Sequence, residues 1–193
     1  MQPTLVFVRH GETSWNAEGR LQGQRDIPLN DKGRGQALRN GRALADSLAE
    51  LAEFDFVASP LGRARETMEI VREALGLDPA AYRLDDRLKE VAFGEWEGST
   101  LAELKVSDPK RIEARDADLW RFKPDKGESY QGLSERVGHW FESLERPTLA
   151  VAHGGVGRVL RVRLFGVDPN EAVGWTFPQD KAFRWQSGAE TLI

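Results

Sequence analysis

The chain has no cysteine. Disulfides, thiol catalysis and thiolate metal sites are therefore excluded. No stretch is long and apolar enough to span a bilayer. The N-terminal apolar run is short and has no basic flank, so it does not read as a signal peptide. Neither His-x-His nor His-Glu-x-x-His occurs, so no helical metal-site pattern is present and neither metal nor other cofactor is expected. Positive charge is not in excess either: 27 Lys and Arg against 31 Asp and Glu give a formal net charge of −4. That balance argues against a general binder of nucleic acid or of membrane surfaces. A cytoplasmic protein is the expectation. No repeat, low-complexity tract or linker divides the 193 residues, a length that suits one domain with a sizeable core.

What the chain does have is a short apolar run that stops at a cation. Leu5-Val6-Phe7-Val8 is uninterrupted and leads into Arg9-His10-Gly11. Such a run reads as a strand buried on both faces, as in a parallel sheet. Ligands of such sheets bind beyond the carboxyl ends of the strands. Alone, His10 could be a structural histidine at a strand end. Two further stretches repeat the pattern. Phe54 to Ala58 is followed by Ser59-Pro60 and Arg63, and Leu149 to Ala152 by His153-Gly154-Gly155. If the three strands are parallel, Arg9, His10, Arg63 and His153 converge on one edge. Two guanidinium groups and two imidazoles make a pocket for a phosphate-like anion.

These residues also carry a family resemblance. LVFVRHGETSWN (Leu5 to Asn16), ASPLGRARET (Ala58 to Thr67), LKEVAFGEWEG (Leu88 to Gly98) and VAHGG (Val151 to Gly155) resemble, in order, the motifs of the histidine phosphatase superfamily, the phosphoglycerate-mutase-like proteins. The resemblance implies an α/β fold: a three-layer α/β/α sandwich with a mostly parallel central sheet. It implies one domain over residues 1–193, with a small cap inserted at about 99–128. It also implies a catalytic set of His10, Glu90, Arg9, Arg63 and His153, with His10 as the phosphoryl acceptor and Glu90 as proton donor. Residue physics alone does not single out Glu90. By the same resemblance Asn16 contacts the phosphoryl group, Gln22 and Gly23 border the substrate, and Thr13 and Gly154 complete the binding set. Asn16 could equally be a turn residue.

Between the motifs the chain reads as ordinary elements. Trp15 to Pro28 reads as a loop. A helix opens at Asn30 or Asp31, and its apolar spacing continues to Ala52. Ser59 can cap the following helix, with Pro60 in its first turn. Arg63 then lies beside free helix N–H groups, where a cation is unfavourable unless an anion shares the site. Asp85, Asp86, Glu95 and Glu97 read as surface charges. Leu101 to Leu104 and Lys110 to Trp120 look like short helices, with Trp96, Trp120 and Phe122 packing the cap. Gly127-Glu128-Ser129 precedes a helix marked by Leu133, Val137, Trp140 and Leu144, with His139 on its exposed flank. Stretches around Phe183 to Trp185 and Glu190 to Ile193 add strands to a sheet edge. Six tryptophans could serve a homodimer surface or the cap and core.

The set suits phosphoryl transfer through a phosphohistidine, since that reaction is mostly positioning and electrostatics. The substrate expected is a small phosphorylated metabolite, a phosphomonoester. The sugar-acid mutases of the family carry Arg directly after the catalytic Glu. Here Val91 follows Glu90, which favours hydrolysis. A phosphoglycerate-type mutase and a catalytically weak binder of phosphorylated ligands are the alternatives.

Overall fold

The computed structural model describes residues 3–48 and 51–193. Among them six strands, β1 (Leu5–Arg9), β2 (Asp55–Ala58), β3 (Arg83–Leu84), β4 (Thr148–Ala152), β5 (Ala182–Gln186) and β6 (Ala189–Leu192), form one sheet in the order β3-β2-β4-β1-β5-β6. The β1–β4, β4–β2 and β2–β3 pairs are parallel. The last two strands turn back: β5 is antiparallel to β1, and β6 to β5. β1 is thus central, as its unbroken apolar run requires. Leu5 and Phe7 pack into one core and Val6 and Val8 into the other, and all four are fully buried. Each such side chain contributes about 1.5–3 kcal/mol by leaving water.

Helices cover both faces. α1 (Ser14–Ala17) is a single turn inside the stretch that reads as a loop. α2 (Asp31–Ser47) and α3 (Gly62–Ala74) bring Leu44, Ala64, Met68 and Val71 onto Val6 and Val8. α4 (Leu101–Ser107) and α5 (Pro109–Ala117) lie apart. α6 (Tyr130–Glu142) and α7 (Gly154–Phe165), with α8 (Pro169–Gly174) beside α7, bring Leu133, Val137, Val156 and Leu160 onto Leu5 and Phe7. The result is the three-layer sandwich. No helix among the described residues is long and apolar enough to cross a membrane.

Some local expectations are corrected. The helix opening at Asn30 ends at Ser47 rather than Ala52; Leu51–Glu53 is a separate 3-10 turn, and residues 49–50 lie outside those described. α3 starts at Gly62, with Leu61 at the cap position and no side-chain cap of its own. Pro60 therefore precedes the helix, and Ser59 is drawn away to His153 (Oγ to Nε2, 2.7 Å). Asp26, from the loop after α1, takes the cap instead: its Oδ1 accepts the Gly62 N–H at 2.8 Å. Trp96 packs a small separate core with Leu104 and Ile112, against which Phe122 stacks, whereas Trp120 packs on the main core.

The turn after β1 is tight because two glycines touch. A Cβ on Gly11 would run into the backbone of Gly33, and one on Gly33 into the backbone of Glu12. That close approach seats the β1 terminus against the start of α2.

Candidate active site

β1 and β4 end side by side, and His10 follows β1 with its N–H on the Ala152 carbonyl (2.9 Å). The imidazole is 2% exposed. Its Nδ1 lies 2.7 Å from the Gly11 carbonyl oxygen. A carbonyl only accepts, so Nδ1 carries the proton and Nε2 keeps its lone pair. Burial first, then the neighbouring Arg63 and Arg9, holds this imidazole well below the usual histidine range. At neutral pH His10 is therefore an uncharged base, and its Nε2 lone pair accepts only a long hydrogen bond, from Arg63 Nε at 3.3 Å.

Arg63, in the first turn of α3, is 1% exposed. Its Nη1 donates to the Arg25 carbonyl (2.6 Å) and its Nη2 to the Gly23 carbonyl (2.8 Å). Its Nε faces His10 Nε2 at 3.3 Å. Arg9 donates to the Phe177 carbonyl, and Phe177 packs edge-on against Phe7 at 5.2 Å. The aromatic core thus holds a cation at the sheet edge. Burial, then the nearby Arg158, pushes the Arg9 guanidinium down to about 10. His153 is fully buried, its ring 5.1 Å from that of His10. Burial and Arg63 keep it well below the usual histidine range. Arg9 Nε and His153 Nδ1 are buried without a hydrogen-bond partner. Guanidinium groups that line one cavity are stabilised by a shared anion.

The remaining expected residues fall into two groups. Asn16, Gln22, Gly23 and Glu90 line one cavity of about 120 Å³ with Arg9, His10 and Arg63. Thr13, His153 and Gly154 are not among its lining residues, although the His153 ring neighbours that of His10 and keeps its Nδ1 unpartnered. Thr13 is buried and caps α1, its hydroxyl accepting the Asn16 N–H (3.2 Å). Gly154 packs on the Arg9 guanidinium, where a Cβ would sit 3.4 Å from Nε. Asn16 Oδ1 accepts from Gln179 Nε2 (3.0 Å) and from the Thr13 N–H (3.3 Å), so its amide N–H groups are its donors toward the cavity.

Glu90 is placed by its backbone and by α7. Its Oε1 accepts its neighbour Val91's N–H (2.9 Å), and its Oε2 the Gly155 N–H (3.2 Å). A Cβ on Gly155 would collide with Oε1. Arg136 Nη2 and Gln24 Nε2 donate to the Glu90 carbonyl at 3.0 and 3.1 Å. Glu128 holds Arg136 by two contacts of 2.8 Å, which gives the Gly-Glu-Ser stretch a structural task.

Several site residues are not evident in the sequence. Arg20, Tyr130 and Arg158 line the same cavity. Gln179 also donates to the His10 carbonyl (3.2 Å). Glu97 is no surface charge: its side chain is 10% exposed, and it pairs with Arg25 at 3.4 Å. It also accepts the Gln24 and Phe93 N–H groups at 3.0 and 3.3 Å. Asp85 likewise caps a 3-10 turn and pairs with Arg87 at 2.7 Å. Asp86 and Glu95 are exposed, as expected, and so is His139. Among the described residues no group of three or more His, Asp or Glu side chains is arranged to hold a metal ion.

Comparison with known proteins identifies the family and the fold. The sequence profile of the histidine phosphatase superfamily (branch 1) matches residues 5–183. A probable phosphoglycerate mutase from Shigella dysenteriae is 39% identical over 156 residues, 78% of this chain and 69% of that protein. A glucosyl-3-phosphoglycerate phosphatase from Mycolicibacterium vanbaalenii is 35% identical over 176 residues, 84% of this chain and 74% of that protein. Among solved structures, a mycobacterial glucosyl-3-phosphoglycerate phosphatase superposes with a TM-score of 0.80 at 28% identity, covering 95% of this chain and 90% of that one. An Escherichia coli protein assigned as an alpha-ribazole-5'-P phosphatase gives 0.81 at 27% identity, covering 100% and 95%.

Proposed function

Since the chain belongs to the histidine phosphatase superfamily, we propose that it is a metal-independent phosphomonoesterase that works through a phosphohistidine on His10. One observation carries the reading: His10 lines the cavity with its Nδ1 proton committed to Gly11 at 2.7 Å, which leaves Nε2, the acceptor of a long hydrogen bond from Arg63 at 3.3 Å, as the nitrogen that can attack. Nε2 forms the bond to phosphorus as the ester P–O bond breaks. Charge on the phosphoryl oxygens is met by Arg9, Arg63, His153 and Asn16, donors fixed before substrate arrives. Glu90, as the acid, gives its proton to the departing alkoxide. Its carboxylate then takes a proton from the water that attacks phosphorus. Phosphate leaves, and His10 and the protonated Glu90 are restored.

Hydrolysis rather than isomerisation is supported by Val91. A mutase must hold the dephosphorylated intermediate while water is kept out. The residue after Glu90 is here a valine, 1% exposed, in the main core, and offers no charge to a substrate. The likeness to a probable phosphoglycerate mutase keeps a second reading in the test. A panel of phosphomonoesters that includes 3-phosphoglycerate is incubated in excess EDTA, and both phosphate and isomerised product are measured. Phosphate release in EDTA supports the hydrolase. Interconversion of 3- and 2-phosphoglycerate without phosphate release overturns it in favour of the mutase.

A further inference from the structure

A second cavity, of about 280 Å³, adjoins the phosphate cavity. Its walls are mostly apolar, with Phe93, Trp96, Leu119 and Phe122 prominent, and Arg115, Glu128 and Arg158 also reach it. Leu21, Phe93, Tyr130 and Arg158 line both spaces. The boundary falls at the proton donor: Glu90 lines the phosphate side and the next residue, Val91, the apolar side. The charged groups that reach the larger space are mostly engaged. Glu128 is paired with Arg136 at 2.8 Å and Arg115 with Asp116 at 2.5 Å. Arg158 is held at the junction by the Trp175 carbonyl (2.7 Å) and the Tyr130 hydroxyl (3.0 Å). Such a wall gains by covering its apolar surface, whereas the hydroxyls of a small polyol would lose water there and meet mainly polar groups already engaged with other residues.

We propose that this compartment receives the leaving group, and that the favoured substrates are phosphomonoesters of bulky, ring-bearing apolar alcohols. The placement rests on the hydrolase reading for the position of the phosphoryl group. With that group against His10, the ester oxygen sits beside Glu90 and the alcohol runs past Phe93 into the larger space. Leaving-group size and apolarity then decide specificity, while the cage fixes only the phosphoryl end.

The test separates binding from turnover. Methylphosphonate and 2-phenylethylphosphonate, neither of which can be hydrolysed as an ester, are titrated into the full-length protein by calorimetry. The phenylethyl compound is expected to bind roughly tenfold or more tightly, from the apolar surface it buries. Gly174, at the end of α8, lines the compartment, and a Cβ there meets nothing within 4 Å. Gly174→Phe adds bulk to the lining without a clash at its Cβ, and in a folded Gly174→Phe protein the two phosphonates are expected to bind alike. Leu119→Trp, which fills the space from the other side, should do the same. Equal binding of the two compounds by the unmodified protein, or a preference that survives both substitutions, overturns the proposal. Ethyl phosphate and 2-phenylethyl phosphate, esters of similarly weak acids, are assayed in parallel, with the same preference expected in kcat/KM. If neither is hydrolysed while the phosphonate preference holds, the hydrolase reading fails and the apolar compartment stands.

Discussion

His10 and Arg63 face each other across 3.3 Å, the guanidinium Nε toward the imidazole Nε2, although they lie 53 positions apart in the chain. The pair joins the end of β1 to the first turn of α3. Burial first, and then this cation, keeps the imidazole neutral, and on the proposed phosphohistidine route the pair marks where phosphoryl oxygens would be received.

Removing the nucleophile should abolish turnover without unfolding the protein. His10→Ala is expected to lower kcat/KM by roughly three orders of magnitude or more, with a cooperative melting transition retained. Near-full activity in a folded His10→Ala protein would exclude the phosphohistidine route.

Proton donation from Glu90 should show as leaving-group dependence. Glu90→Gln is expected to slow hydrolysis of alkyl phosphates by roughly 10²–10⁴-fold, and cleavage of p-nitrophenyl phosphate, whose alcohol departs unaided, far less. Equal losses on both substrates would assign the acid elsewhere.

Gly155→Ala should imitate that substitution from a distance. The new Cβ takes the place of Glu90 Oε1, so the carboxylate must move. The same leaving-group dependence, measured as the ratio of alkyl to p-nitrophenyl rates, is expected. An unchanged ratio would mean that Glu90 acts from another position.

How much of this was legible follows from chain distance. The strands β1, β2 and β4 and the nitrogen-bearing side chains at their ends are written locally, as apolar runs that stop at or shortly before Arg or His, and the sheet only had to be parallel for them to meet. The supports are not local. Asp26 caps Gly62 across 36 positions, Glu97 holds Gln24 across 73, and Gln179 meets Asn16 across 163. An acidic residue in a polar stretch looks solvated until its distant partner is known. Ser59 shows the reverse: a local capping rule fits it, but its hydroxyl bonds a buried histidine at 2.7 Å and reaches the Leu61 N–H only at 3.4 Å. Glu90 was identified by family resemblance alone, because its hydrogen bond to Gly155 also spans 65 positions.

Glu97 therefore offers a test of the loop at residues 22–25, whose carbonyls grip Arg63. Glu97→Gln removes the charge that pairs with Arg25 and weakens two backbone hydrogen bonds. A fall in kcat/KM of about tenfold is expected from loosened positioning, with the dependence on leaving group unchanged. No fall in kcat/KM would show that the loop needs no such anchor.

The two buried imidazoles should make stability depend on acidity. His10 and His153 are both held well below the usual range by burial, and Arg63 adds to this. The unfolded chain takes up protons on both below about pH 6.5, so it binds more protons than the folded state there. Stability is then greatest above that pH and falls as pH drops through it, by up to about 2.7 kcal/mol per pH unit for two such groups. Urea unfolding from about pH 7.5 to about pH 5 reads the slope, and His153→Ala should roughly halve it. A slope that His153→Ala leaves unchanged would contradict the assignment.

The most direct measurement is to trap the phosphoenzyme. Protein mixed with labelled phosphomonoester is quenched in alkali, where a phosphohistidine survives, and in acid, where it does not. Phosphohistidine chemistry predicts alkali-stable, acid-labile label on the peptide containing His10, absent from His10→Ala. It predicts more label in Glu90→Gln with p-nitrophenyl phosphate, because attack by water then lacks its base. Turnover with no label under either quench, or label on a peptide without His10, would contradict it.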